Sequence, residues 1–375
     1  MNRLPGLDLL RAFAVIWVML FHSYIVGGLG DTFDPLATPG WMGVDLFFVL
    51  SGFLIGGQVL MPLAQGRAFG FGDFYVRRVF RVLPAYLAVL ALYAAWPAFH
   101  EAGGMAPLWQ FLTFTLNLNI DYAHERTFSH AWSLCVEEHF YLVFPLAAWW
   151  LMRRPSLRRF TLVCAGIVVG GMILRGYIWL YDMAPVRGVE GVARDFGQRF
   201  IEEIYYPTWS RLDGLLAGVV LAAIRAFRPM LWSRLLARAN ALALGGVVVV
   251  GVAIALFQQR TGFWPTVAGY PLLSFGLALL VAAGAGTQGV LARVNVPGAA
   301  WVAGISYSLY LVHKQIFHLV QTRLAWVEGH GFLTLVAYGA ASFAGAALLH
   351  YAVERPFLRL RERLARRRAM APAAA

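Results

Sequence analysis

Residues 7–27 read LDLLRAFAVIWVMLFHSYIVG, with ten uncharged residues, Ala12 to Phe21, set between an arginine and a histidine. About 20 largely apolar residues are what a helix needs to cross a hydrocarbon layer. Only helices or closed barrels leave no backbone polar group unsatisfied there. Runs of the same kind recur near 41–61, 80–99, 132–152, 159–181, 210–227, 239–257, 266–286, 299–322 and 331–353. Of the 375 residues, 60% are hydrophobic and 13% charged, against roughly a quarter charged in soluble domains. The bilayer, not water, is therefore the solvent. The sequence predicts an all-α, polytopic integral membrane protein with about ten transmembrane helices. The run 107–119 is too short to cross and holds Asn117 and Asn119, so it reads as a short re-entrant or interfacial helix.

Asp8 and Arg11 stand inside the first run, and no small-residue cleavage pattern follows it. It reads as a retained helix and not as a signal peptide. With the N-terminus inside, twenty-one basic residues fall in cytoplasmic segments and seven in outer ones, leaving Arg11, Arg175 and Lys314 within spans. Basic residues favour the cytoplasmic side, so both termini are expected there, in the cytoplasmic (inner) membrane. The net charge of +12 would suggest nucleic acid in a soluble protein. Here the arginines flank spans, and nucleic acid is discounted as a partner. Cys135 and Cys164 both lie in apolar runs, which argues against a disulfide or a metal cluster. The expected organisation is one membrane domain, 1–357, followed by a short basic cytoplasmic tail, 358–375. The longest loop, 182–209, carries acids and arginines and reads as an outer cap. Oligomeric state is not legible.

An ionisable group inside a membrane is costly unless paired or hydrated, which makes each one a functional candidate. Arg11 and His22 are eleven residues apart, about three turns or 16 Å, and so project from nearly one face. Counting inward from the span ends, Asp45, the pair Glu137 and Glu138, Asp213, and His313 with Lys314 all reach the depth of His22 in the outer half. A second layer gathers at the cytoplasmic side: Arg11, then Arg77, Arg78 and Arg81 before Pro84, with Glu354 and Arg355. Arginine forks suit phosphate oxygens. The expectation is a cytoplasmic anion pocket connected to a buried acid/base site nearer the other face.

Each element has a plainer reading. Arg77, Arg78 and Arg81 would also serve as positive-inside anchors. A lone membrane histidine is often a packed, hydrogen-bonded one, but a carboxylate beside His22 would orient it as a base. Lys314 has the length to snorkel outward. Asp213 with Arg211 reads as a structural ion pair. His124, Glu125, His130 and His139 form no trusted metal spacing, so no metal is expected. Gly52, Gly56, Gly214 and Gly218 point to close helix packing.

Seven segments together resemble the acyltransferase family 3 membrane enzymes: RAFAVIWVMLFH (11–22), GVDLFFVLSGFLI (43–55), RRVFRVLP (77–84), WSLCVEEHFYLVFP (132–145), SRLDGLLAG (210–218), ISYSLYLVH (305–313) and ERP (354–356). They stand in the family's order over nearly the whole chain. The resemblance implies about ten transmembrane helices. It also implies transfer of an acyl group, commonly acetyl, from cytoplasmic acyl-CoA to a hydroxyl of a carbohydrate, glycan or glycoside acceptor. Carried over, Arg11 and His22 are the first-helix motif, and Arg77 or Arg78 with Arg81 the paired arginine pattern. Glu137 and Glu138 are the acidic motif. Many relatives append an extracytoplasmic esterase-like domain; here such a partner, if needed, is expected as a separate protein.

Residues and resemblance meet in one expected mechanism. Arg11, Arg77, Arg78 and Arg81 hold the phosphates of acyl-CoA, most simply acetyl-CoA. His22, oriented by Asp45 or by Glu137 or Glu138, deprotonates the acceptor hydroxyl. Arg211, Asp213, Tyr307, His313 and Lys314 are the expected substrate-binding side chains. Partners are acyl-CoA, the acceptor and membrane lipid. The alternative class is a proton-coupled transporter or flippase, in which the same ionisable layer is a proton relay. The absence of inverted repeats counts against it.

Overall fold

The computed structural model describes residues 4–27, 33–189 and 195–370, with side chains to Arg366. Residues 190–194 of the expected outer loop and 371–375 of the expected tail lie outside the described residues.

Among the described residues there are twelve helices of eight residues or more. They are α1 (Pro5–Val26), α2 (Met42–Ala64), α3 (Phe71–Ala95), α4 (Trp132–Met152), α5 (Leu157–Ile178), α6 (Asp213–Phe227), α7 (Pro229–Leu236), α8 (Ala239–Leu256), α9 (Tyr270–Gly284), α10 (Ala299–Arg323), α11 (Phe332–Leu349) and α12 (Arg355–Met370). Each of the ten expected spans coincides with one of them. Seven are long and apolar enough to cross on those grounds alone, and an eighth if the pair α6 and α7 is one broken span. α4 and α10 have 21 and 25 residues, ample length, but Glu137, Glu138 and His139 on one, and His313, Lys314 and Gln315 on the other, dilute their apolar character.

The short run 107–119 is indeed no crossing. It forms two pieces, Leu108–Leu112 and Leu116–Asn119, broken at Phe114, whose φ of 56° is left-handed. α6 and α7 meet at 114°. Pro229 opens α7, and a proline disfavours helical geometry in the residue before it, so the chain turns at Arg228. Four π-helical segments interrupt the helices: Trp179–Met183, Phe200–Tyr205, Pro265–Gly269 and His350–Glu354. Each carries one residue more per turn than an α-helix, a feature that is often found at functional sites.

The chain forms two compact units. One is Met1–Ala14, Trp41–Phe69 and Ala102–Ala303. Its core is α2 against α6, where the glycine spacing does what the sequence suggested. A Cβ on Gly52 would meet the backbone of Leu215, and one on Gly218 the backbone of Val49 and Phe53. Only the missing side chains let the two helices touch. The other unit is Val15–Gly40, Gly70–Glu101 and Gly304–Ala375. There α3 packs against α12 and against the π segment that links α11 to it.

Candidate functional site

In the second unit, α1 supplies His22 and α10 supplies His313. Nδ1 of His22 and Nε2 of His313 are 2.6 Å apart, with the rings stacked at 4.9 Å and 19°. Nδ1 of His313 lies 3.1 Å from the carbonyl of Leu309, one turn back on α10. A carbonyl only accepts, so His313 carries its proton on Nδ1. A neutral imidazole then has its lone pair on Nε2. The proton between the rings must come from Nδ1 of His22, which leaves Nε2 of His22 as the basic nitrogen. The chain from carbonyl through two imidazoles thus selects one tautomer. His313 is wholly buried, with Tyr310 and Phe317 each 5.7 Å from its ring. His22 is half-buried.

Below this pair a buried carboxylate gathers three elements. Glu354, in the π segment, accepts from Arg81 of α3, from Ser308 Oγ of α10 at 2.8 Å and from His350 Nδ1 at 3.0 Å. Tyr307 donates to the Val82 carbonyl at 2.9 Å, and its ring lies 5.9 Å from the Arg81 guanidinium. Lys314 does not snorkel: its Nζ is 3.2 Å from Glu101, which also accepts from Tyr93 at 2.8 Å. Arg77 is exposed. Arg78 is half-buried, with its guanidinium 5.9 Å from the ring of Phe74.

In the first unit Arg11 is half-buried on α1, and two ion pairs are sealed from solvent. Arg211 Nη2 meets Asp45 Oδ1 at 2.7 Å, with both side chains at most 3% exposed. Four aromatic rings surround the guanidinium: Tyr205 at 4.4 Å, Tyr270 at 4.5 Å, Trp132 at 5.1 Å and Phe48 at 5.9 Å. Arg175 holds Asp213 at 2.8 and 3.4 Å and also donates to the carbonyls of Ser210 and Val267. The expected Arg211–Asp213 pair is therefore corrected: each pairs elsewhere. Side chains two apart do not face one another on a helix, and Arg211 precedes the first turn of α6. Glu137 accepts from Ser51 at 2.6 Å and from Tyr141 at 3.0 Å, and Glu138, beside it on α4, is half-buried.

The structure thus brings together His22 with His313, Arg81 with Tyr307, and Asp45 with Arg211. The carboxylates expected to orient His22 have partners of their own, Arg211 for Asp45 and Ser51 with Tyr141 for Glu137. Three contributors were not picked out from the sequence: Arg175, Glu354 as a hub, and Ser51. Arg175 had a signal, a lone cation in the apolar run 159–181. Ser51 had none. Among the described residues no three His, Cys, Asp or Glu side chains stand close enough to hold a metal ion.

The sequence model of the acyltransferase domain family matches residues 4–351. The chain belongs to this acyltransferase family. Among curated proteins, this acyltransferase is 25% identical over 338 residues to O-acetyltransferase OatA of Staphylococcus aureus (strain NCTC 8325 / PS 47), covering 85% of this chain and 51% of that one. It is 28% identical over 248 residues to the putative peptidoglycan O-acetyltransferase YrhL of Bacillus subtilis (strain 168), covering 62% and 35%. A putative O-acetyltransferase of Staphylococcus aureus (strain COL) is 24% identical over 346 residues, covering 86% and 52%. The acyltransferase spans about half or less of the length of these relatives. No solved structure matches it.

Proposed function

We propose that this acyltransferase is an O-acetyltransferase that moves an acetyl group from acetyl-CoA to a hydroxyl of a cell-envelope glycan, with peptidoglycan as the first acceptor to test. The observation that supports this reading best is the His22–His313 pair, because it presents a base nitrogen of fixed tautomer. Nε2 of His22 takes the proton of the acceptor hydroxyl. The hydroxyl oxygen attacks the thioester carbonyl, the C–S bond breaks, and the imidazolium returns the proton to the departing CoA thiolate. A transient acyl-histidine would use the same nitrogen as nucleophile, and a burst of CoA release would separate the two routes.

His313 in this reading is a positioning residue. The phosphates of acetyl-CoA fall to Arg77 and Arg78, since Arg81 is engaged by Glu354. Arg11, eleven residues before His22 on α1, is assigned to the same anion in the family's first-helix motif. Tyr307 and Lys314 shape the wall through Val82 and Glu101. The termini lie in the cytoplasm, as the arginine distribution suggests, and the acceptor arrives from the outer side of the inner membrane.

The test uses the purified full chain in nanodiscs with acetyl-CoA and peptidoglycan fragments. Release of CoA thiol and gain of one acetyl ester on the glycan, both lost in His22→Ala, are expected. Acetylation that persists in His22→Ala, or that needs no acetyl-CoA, would overturn the proposal.

A further inference from the structure

The basic segment after the last span takes no part in the reaction as described so far. α11, the π segment and α12 run on as one helix of 35 residues from Phe332 to Arg366. At 1.5 Å per residue that is about 52 Å, against roughly 30 Å of hydrocarbon. Phe332–Val353 suffices for the crossing, so α12 stands beyond the bilayer core. Arg359, Arg363 and Arg366, at i, i+4 and i+7, share one face and are exposed. With Glu362 they line a cavity of about 260 Å³. The Glu362 carboxylate is drawn towards Arg361, 3.5 Å away. Among the described residues none of the three arginines is in a hydrogen bond or ion pair. Three adjacent guanidiniums repel one another and are a poor arrangement unless an anion joins them.

We infer that Arg359, Arg363 and Arg366 bind the 3′-phosphomonoester of acyl-CoA, an inference that rests on the acyl-CoA reading above. Two geometric facts favour this over a lipid headgroup. Arg363 and Arg366 lie about 14 and 18 Å along the helix beyond Glu354, whereas the headgroup layer is only about 5–8 Å thick on each side. In addition, α12 packs on α3, and Arg81 of α3 bonds Glu354 at the foot of α12. The residues of α3 before Arg81, among them Arg77 and Arg78, therefore run beside α12 at the same end of the unit. With the thioester directed inwards, the end of CoA farthest from it carries the dianionic 3′-phosphate and reaches the outermost arginines.

Binding of CoA and of dephospho-CoA, which lacks that phosphate, is measured by calorimetry on the full chain in nanodiscs of phosphatidylcholine. CoA should bind wild type roughly 10- to 100-fold more tightly than R359Q/R363Q/R366Q, while dephospho-CoA binds both alike. R359K/R363K/R366K should recover part of the loss, which excludes misfolding as the cause. Equal CoA affinity in wild type and the glutamine variant overturns this inference and leaves the acyl-CoA reading intact. Failure of CoA to bind wild type at all overturns both. A CoA affinity that depends on the variant only when phosphatidylglycerol is added to the nanodisc assigns the site to lipid, and also overturns it.

Discussion

Arg211 reaches across 166 residues of sequence to hold Asp45 at 2.7 Å, inside a box of four aromatic rings. The carboxylate neutralises the guanidinium, and the electron-rich faces of the rings add a second attraction. A cation enclosed in this way is a structural rivet between α2 and the start of α6.

Removing one half of such a pair leaves a buried charge uncompensated, which costs about 3–5 kcal/mol. Asp45→Leu and Arg211→Leu should each lower the Tm of the detergent-solubilised protein markedly. The double variant should lose less than the sum of the two, because no lone charge remains. Additive losses in a thermal-unfolding cycle would refute the rivet.

The helices themselves were legible, because an apolar run long enough to cross a bilayer has few other fates. Rotation about each helix axis was not. The sequence gives Arg211 a neighbour in Asp213, yet the bend before α6 aims the two apart, towards Asp45 and towards Arg175. His22 and His313 were both candidates, at matching depth. That they touch depends on how α1 packs on α10, 291 residues away, and no local pattern records that. Glycine spacing was the exception: a residue without a side chain can only mean close approach, and Gly52 and Gly218 deliver it.

His22→Ala should reduce kcat by about 10²–10⁴ with little change in KM for acetyl-CoA. His313→Leu removes the acceptor for the Nδ1 proton of His22 and should reduce kcat about tenfold or more. His313→Gln, whose side-chain oxygen can take that proton, should recover part of the rate. If Leu and Gln variants are equally slow, His313 does something other than select the tautomer.

Arg77→Gln and Arg78→Gln should raise KM for acetyl-CoA by about tenfold each, with kcat held, and the effect should shrink as salt is added. Arg81→Gln and Glu354→Gln should behave differently, lowering Tm by breaking the hub that joins α3, α10 and the last π segment. A KM effect at Arg81 with unchanged Tm would return that residue to the phosphate site.

Gly218→Leu forces a side chain into the backbone of Val49 and Phe53. Overpacking of this kind costs about 1–3 kcal/mol and often more. The variant should express poorly or melt early, whereas Gly57→Leu, where an added Cβ meets nothing within 4 Å, should be close to neutral. Equal stability of the two would mean that α2 and α6 are not in contact at Gly218.

The π segment Pro265–Gly269 supplies, at Val267, a carbonyl to Arg175, and just past it Tyr270 lies under the guanidiniums of Arg175 and Arg211. Deleting a single residue there would restore regular winding but rotate everything downstream by about 100°, carrying the phenol of Tyr270 off both cations. Length in this stretch is thus conserved by physics more strictly than identity. Along a lineage, amino acids here can be exchanged one for another far more readily than any can be gained or lost.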